Sequence, residues 1–270
     1  MEDEQAMQVI SLSPIDLSLA ALLVIGLALL SIPMRLQLSR QLLVAGSRTV
    51  VQLSLIGLVL KALFDHIHPA GLAVVAAVMV GVAGVEIMRR QKRRFAGIWG
   101  IGVGTLSMFV SSFCVTVLAL TVVIDIRPWY HPQYAIPLLG MILGNTMSGI
   151  AIGLDRLTAT AWEQRAVIEA RLSLGFGWSE AIEAIRREGI RSGLIPIINS
   201  MSVVGLVSLP GMMTGQILSG TLPVEAVKYQ ILIMFLIAGG TGFGTILAVS
   251  LGARRLFDDR ERLRLDRLRS

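Results

Sequence analysis

Residues 193–217 read GLIPIINSMSVVGLVSLPGMMTGQI. The stretch is apolar and long enough for one helical crossing of a bilayer, which takes about 20 residues. Yet it carries Asn199, Ser200 and Ser202 in its first half and Pro210 and Gly211 in its second. Proline removes a backbone donor and clashes with the carbonyl four residues back, so a kink or break is expected near Leu209. Inside lipid, freed backbone groups must be met by neighbouring helices, polar side chains or water. A broken, polar, methionine-bearing span fits two readings: a kinked packing helix, or the core of a transport route. In the second, Asn199, Ser200, Met201, Pro210, Gly211, Met212 and Met213 line the path.

The rest of the chain supplies the setting. Of 270 residues, 54% are hydrophobic and 16% charged, and mean hydropathy is +0.73. A soluble domain carries about 25% charged residues, so the sequence reads as all-α and polytopic in the membrane, one transmembrane domain over 1–270. A single cysteine, Cys114, excludes a disulfide framework within one chain. The first residues, MEDEQAM, are acidic, unlike the basic start of a cleaved signal peptide. The net charge of +6 is no nucleic-acid signal, because the basic residues lie in blocks beside apolar spans.

About seven spans can be drawn, near 15–33, 43–63, 70–88, 97–124, 135–154, 193–217 and 229–252. If they alternate, 21 of the 24 Lys and Arg fall on one side, leaving only Lys61, Arg127 and Lys228 on the other. The basic side is cytoplasmic by the positive-inside rule. This predicts an outside N-terminus and a cytoplasmic C-terminus.

Polar residues within the spans each admit a functional and a plain reading. Arg48 and Gln52 share one helix face; they serve a structural or gating role, or Arg48 merely snorkels to the headgroups. The block from Arg89 to Arg94 holds anionic lipid or docks a partner. Gly100, Gly102 and Gly104 allow close helix packing and follow no strand, so they are no nucleotide fingerprint. Asn145, mid-span between Gly144 and Gly149, is expected to face another helix or a cavity. Met141 and Met147, with the methionines of 193–217, offer soft thioether contacts or fill gaps. His66, His68 and His131 lie in outer connections and are weak metal candidates.

The connection 155–192 holds six Arg against six Asp or Glu. Thr160 with Glu163 reads as a capping box, Gly175 and Gly177 as a stop, and Ser179 as the cap of a second helix. A cytoplasmic helix–turn–helix is therefore expected, leading directly into the broken span. It either presses on a soluble partner or lies as an amphipathic connector on the lipid.

Within it, EARLSLG at 169–175 resembles the EAA loop of ABC-importer permeases, where Glu-Ala is followed by Gly six residues after the Glu. Importers reach a Leu-Pro sooner after that Gly than this chain reaches Ile195-Pro196. From about Arg48 to Leu251 the chain resembles the FetB family, permease components of bacterial iron-export ABC transporters, and is similar to plant aluminium-tolerance membrane proteins. The resemblance is carried by VGLVSLPGMMTGQI (204–217), PVEAVKYQI (223–231), GMILGNTM (140–147), LSLG (172–175), and Arg48, Gln52, Gly57 and Lys61. It implies a permease, expected as a homodimer, that exports iron or another metal cation and docks a separate ATPase through Glu169, Ala170 and Gly175. ATP and Mg would be bound by that partner. In agreement, the chain has no GxxxxGK[ST] phosphate loop of its own.

Two rivals stand beside this. A secondary transporter or channel working alone also uses broken helices, although no inverted repeat is evident and Glu86 and Asp16 are the only carboxylates near the span interiors. A membrane sensor or assembly factor would bind a partner without nucleotide-driven turnover.

Overall fold

The computed structural model describes residues 13–65 and 69–269. The chain divides into two compact units, one holding residues up to 68 with 215–221, the other 69–214 with 222–270.

The first unit contains α1 (Pro14–Leu30) and α2 (Ser39–Asp65), packed on each other. A capping box opens α1: Ser13 Oγ accepts from the Asp16 backbone N–H, and Asp16 Oδ2 accepts from the Ser13 N–H at 2.8 Å. The turn to α2 is tied by Ser39 Oγ donating to the Ala28 carbonyl at 2.8 Å and by the Leu38 N–H donating to Ser31 Oγ. With 17 residues, α1 is about 26 Å long, short of a full crossing.

The second unit is a bundle of α3 (Pro69–Arg89), α4 (Ile98–Leu118), α5 (Pro132–Glu163), α8 (Glu183–Val203) and α10 (Pro223–Arg255), with short α6 (Arg165–Ser173) and α7 (Trp178–Ala181) between α5 and α8. A π turn, Ala119–Val123, prolongs α4. Among the described residues five helices, α2, α3, α4 with its π turn, α5 and α10, are long and apolar enough to cross a membrane. The predicted sixth span is not one of them, because its helix is split.

Glycine decides how closely these helices approach. On α5, Gly149 and Gly153 form a GxxxG pair; on α8, Gly189 and Gly193 form another. The two meet face to face: a Cβ on Gly193 would stand 2.5 Å from the Gly149 carbonyl, and one on Gly189 3.1 Å from that of Gly153. Small residues at such a crossing let backbones touch and gain dispersion contacts that lipid cannot offer. Gly240 and Gly244 of α10 do the same against Ile142 and Thr146 of α5. Of the expected GxGxG, Gly104 packs on Ile87 and Gly100 on the Phe95 carbonyl, whereas Gly102 faces open space.

The predicted helix–turn–helix needs correction at its start. α5 runs without interruption to Glu163, so Thr160 is a buried residue in its last turn, its carbonyl accepting from Gln164. With 32 residues, α5 is about 48 Å long and outreaches a hydrocarbon core of about 30 Å. Ser179 is likewise inside α7, and the N-cap position belongs to Gly177. The stop at Gly175 is as expected.

At this end of the unit the connections 89–96 and 155–192 and the chain after 255 converge. Lys92 N–H donates to Asp155 Oδ1 at 2.7 Å, and Thr158 Oγ1 donates to the Arg93 carbonyl at 2.8 Å. β1 (Arg94–Phe95) pairs antiparallel with β2 (Leu268–Arg269), a minimal sheet within an otherwise helical fold. Arg93 lies over Trp162 at 4.0 Å, and Arg255 over Trp99 at 4.5 Å. Three of the connections expected on one basic side are thus physically joined.

Candidate functional site

The exposed turn at the basic end is built by α6 and its terminator. Leu174 caps α6 and Gly175 follows at φ +90. Phe176 N–H donates to the Arg171 carbonyl, and Gly175 N–H to that of Leu172, at 3.2 and 3.0 Å. This is the Schellman arrangement, which needs a left-handed residue after the cap. The result holds Leu174 at 78% and Phe176 at 48% exposure, two large apolar side chains raised on a rigid turn. Glu169 and Ala170 stand exposed on α6, one turn before it. Beneath, Ile168 and Ile182 are buried and anchor the turn to the core.

From that turn the chain passes through α7 and Ile182 into α8, which carries it on to the break. The break spans 204–210 and is wider than the kink expected near Leu209. Val204, extended at ψ 134, ends the helical path, and Gly205 follows at φ +82, its N–H donating to the Ser208 carbonyl at 2.9 Å, while a bridge joins Val204 to Ser208. Helix α9 (Gly211–Leu218) then starts after Pro210, whose carbonyl accepts from Thr214 at 3.1 Å. Proline excludes helix from the residue before it and is tolerated at a helix start, so Pro210 opens α9 and does not kink a continuous span.

The predicted route residues are surface residues. Asn199, Ser200, Met201, Gly211 and Met212 are exposed, while Pro210 and Met213 are half-buried. Asn145 is exposed too, its Nδ2 donating to the Met141 carbonyl of its own helix at 2.9 Å. Met141 and Met147 are half-buried, each packed against a core cluster. No hydrogen bond among the described residues joins Asn145 to Asn199.

What stands beside Asn145 was missed in the sequence. Glu86 and Arg90, one turn apart on α3, pair at 3.2 Å, and Arg90 Nη1 donates to Ser148 Oγ on α5 at 3.4 Å. Asn145 and Ser148 are three apart on α5 and share a face. Together they make a partly exposed polar strip of carboxylate, guanidinium, hydroxyl and amide. The i,i+4 spacing of Glu86 and Arg90 was the available signal. A second missed feature is a buried seam of hydroxyls: Ser107, Ser112 and Thr116 of α4, Thr146 of α5, and Thr241 and Thr245 of α10. None finds a hydrogen-bond partner among the described residues. Serine and threonine are unremarkable in an apolar span, and only packing shows that these oxygens are unpaired.

Arg48 and Gln52 are exposed on one face of α2 in the other unit. His66 and His68 lie outside the described residues. His131 precedes α5 and stands edge-on to Tyr134. Among the described residues no group of three or more His, Cys, Asp or Glu is placed to hold a metal.

Residues 14–257 match an uncharacterised protein family, UPF0014. The chain belongs to the UPF0014 family. A UPF0014 membrane protein of Synechocystis is 41% identical over 232 residues, covering 84% of this chain and 87% of that protein. The Escherichia coli relative, named a probable iron export permease protein, FetB, is 32% identical over 259 residues, 94% of this chain and 96% of its own. The Arabidopsis thaliana protein ALUMINUM SENSITIVE 3 is 32% identical over 234 residues, 86% and 83% of the two chains. No solved structure matches. As a UPF0014 member with several spanning helices, the chain is a multi-pass membrane protein. The exposed turn at 174–176 and the polar strip both lie within the matched stretch; residues after 257 lie beyond it.

Proposed function

We propose that this UPF0014 protein is the permease subunit of an ATP-driven exporter of a metal cation, iron foremost, in the cell inner membrane. The observation that carries the reading is the Leu174–Phe176 turn: exposed apolar side chains on a glycine-locked turn, at the head of a path that runs through α8 to the broken span. A soluble ATPase binding ATP and Mg would press on this turn and move α8 along its glycine contact with α5. The name of the Escherichia coli relative supports iron as the cargo. The convergence of basic connections supports a cytoplasmic position for this end, hence a cytoplasmic C-terminus.

In this reading two copies form the working permease, and the exposed amide of Asn145 and the Glu86–Arg90–Ser148 strip face the route. A cation would compete with Arg90 for the Glu86 carboxylate, so release of cargo re-forms the ion pair. The unpaired hydroxyls of α4, α5 and α10 take water when that seam parts.

Purification of the tagged full-length protein from its own host in mild detergent tests the reading. A co-purifying ATPase whose hydrolysis rate rises with a metal ion supports it, and the responsive ion names the cargo. A protein that is repeatedly alone, and that transports in vesicles until the proton gradient is collapsed, supports instead a self-sufficient carrier, to which the break at 204–210 is also suited.

A further inference from the structure

The tail after α10 is held by specific contacts. Leu268 is buried, β2 pairs with β1, and Arg267 Nη1 donates to the carbonyls of Arg255 and Phe257 at 2.8 and 3.0 Å. Asp258 gathers the loop that follows, accepting from the backbone N–H groups of Arg260 and Arg262 and from Arg262 Nε. This folding puts Glu261 at φ 58, a left-handed conformation that a residue with a Cβ adopts at a cost. The same conformation brings Glu261 Oε2 within 2.9 Å of the Trp178 N–H, the first of α7. On its ring, Trp178 meets Phe257 at 5.9 Å and Arg254 at 5.1 Å. The tail therefore grips the residue that follows the coupling turn.

Between turn and tail lies a groove of about 420 Å³. Leu172, Gly175 and Phe176 form its apolar wall, and Arg260, Glu261 and Arg262 its polar wall. We propose that the tail is a wall of the ATPase docking surface: the groove receives a segment of the soluble subunit that turns a carboxylate toward Arg260 and an apolar side chain toward Phe176. The proposal rests on the reading that a soluble ATPase docks at this turn.

Charge and position favour that occupant. Arg262 is neutralised by Asp258 at 2.8 Å, and the Glu261 carboxylate faces the Trp178 N–H. Arg260 is exposed and has no ion pair or side-chain hydrogen bond among the described residues, so its guanidinium is open to a carboxylate beside two exposed apolar groups. The groove also lies past the end of α10, a helix of 33 residues and about 50 Å that exceeds the hydrocarbon thickness. There a soluble partner has better access than acyl chains.

The test uses full-length protein in detergent, titrated with the purified ATPase subunit. Arg260→Glu is expected to weaken retention at least tenfold, Arg260→Lys to restore most of it, and added salt to weaken the wild type more than Arg260→Glu. Leu174→Asp, on the same exposed turn as Phe176 but outside the groove, is expected to abolish retention. If Leu174→Asp loses the ATPase and Arg260→Glu keeps it, the docking reading stands and the role of the tail is overturned. If the wild type retains no ATPase, the docking reading itself fails and takes this inference with it. Should Arg260→Glu keep the ATPase but lose adhesion to phosphatidylglycerol vesicles, the groove is a lipid site and the proposal is overturned.

Discussion

Gly175 stands at φ +90 with nothing within 4 Å of where a Cβ would be. Any side chain there fits the space but not the backbone, since left-handed geometry costs a residue with a Cβ roughly 1–2 kcal/mol. Gly175→Val is expected to lower the thermal unfolding midpoint slightly and to uncouple ATP hydrolysis from flux. Gly175→Asn is expected to do less, because asparagine tolerates that region; equal damage from both would assign the effect to added bulk on the exposed turn. Asp258 shows a different single-residue effect. The backbone N–H of Arg262, followed by the Arg262 side chain and the Arg260 N–H, holds its carboxyl down to about 2 against an ordinary 3.8. The contribution to stability is complete at neutral pH, declines as pH falls below 3.8, and is gone below about 2. Amide exchange at Arg260 and Arg262 is expected to accelerate across that window in the wild type. In Asp258→Asn these amides should exchange fast at neutral pH as well.

At the scale of elements, the α5–α8 contact has no room for a side chain. Gly193→Ala places a Cβ against the Gly149 carbonyl and Thr245, and overpacking of this kind costs about 1–3 kcal/mol. Gly211→Ala, where a Cβ meets nothing, should be neutral. Thermal unfolding in detergent distinguishes the two, and parity would mean that α8 slides away from α5 at little cost. The hydroxyl seam behaves in the opposite way. An unpaired buried hydroxyl costs roughly 1–3 kcal/mol, so Thr146→Val is expected to raise the unfolding midpoint while slowing transport. A variant that is stabilised and still transports at the wild-type rate would remove the seam from the mechanism.

For the whole molecule, the basic end is one structure assembled from distant pieces of chain. Phe257 and Leu268 are 3% and 8% exposed, and β2 is the only partner of β1 among the described residues. A stop codon after Leu256 removes both side chains from the core and is expected to destabilise the protein by about 3–5 kcal/mol, read as a lower unfolding midpoint or reduced accumulation. Unchanged stability would show that the tail is held only loosely. The polar strip also belongs to this scale, because Glu86, Arg90, Ser148 and Asn145 come from two helices and meet only when the bundle forms.

Membrane residence, helical class and the interrupted span were legible in the sequence because each follows from local composition: apolar runs of bilayer length, basic blocks between them, and proline and glycine inside one span. The stop at Gly175 was legible for the same reason, since a helix that ends in a left-handed turn selects glycine. Where the outcome differed from the expectation, packing decided at Thr160, and short-range backbone contacts decided at Asn145 and Pro210. Thr160 and Glu163 resemble a helix start, but α5 continues through them, its outer turns packed on the 89–96 connection and on Ile168 and Ile182. Asn145 resembled an amide needing a partner across an interface, yet its own helix supplies the carbonyl. Pro210 looked like the cause of the break, whereas the helical path already ends at Val204 and Pro210 leads into the next helix. The grip of Glu261 on Trp178, 83 residues apart, has no local signature. Hydrogen bonds between remote segments depend on where the backbone carries them, and only the packed bundle fixes that.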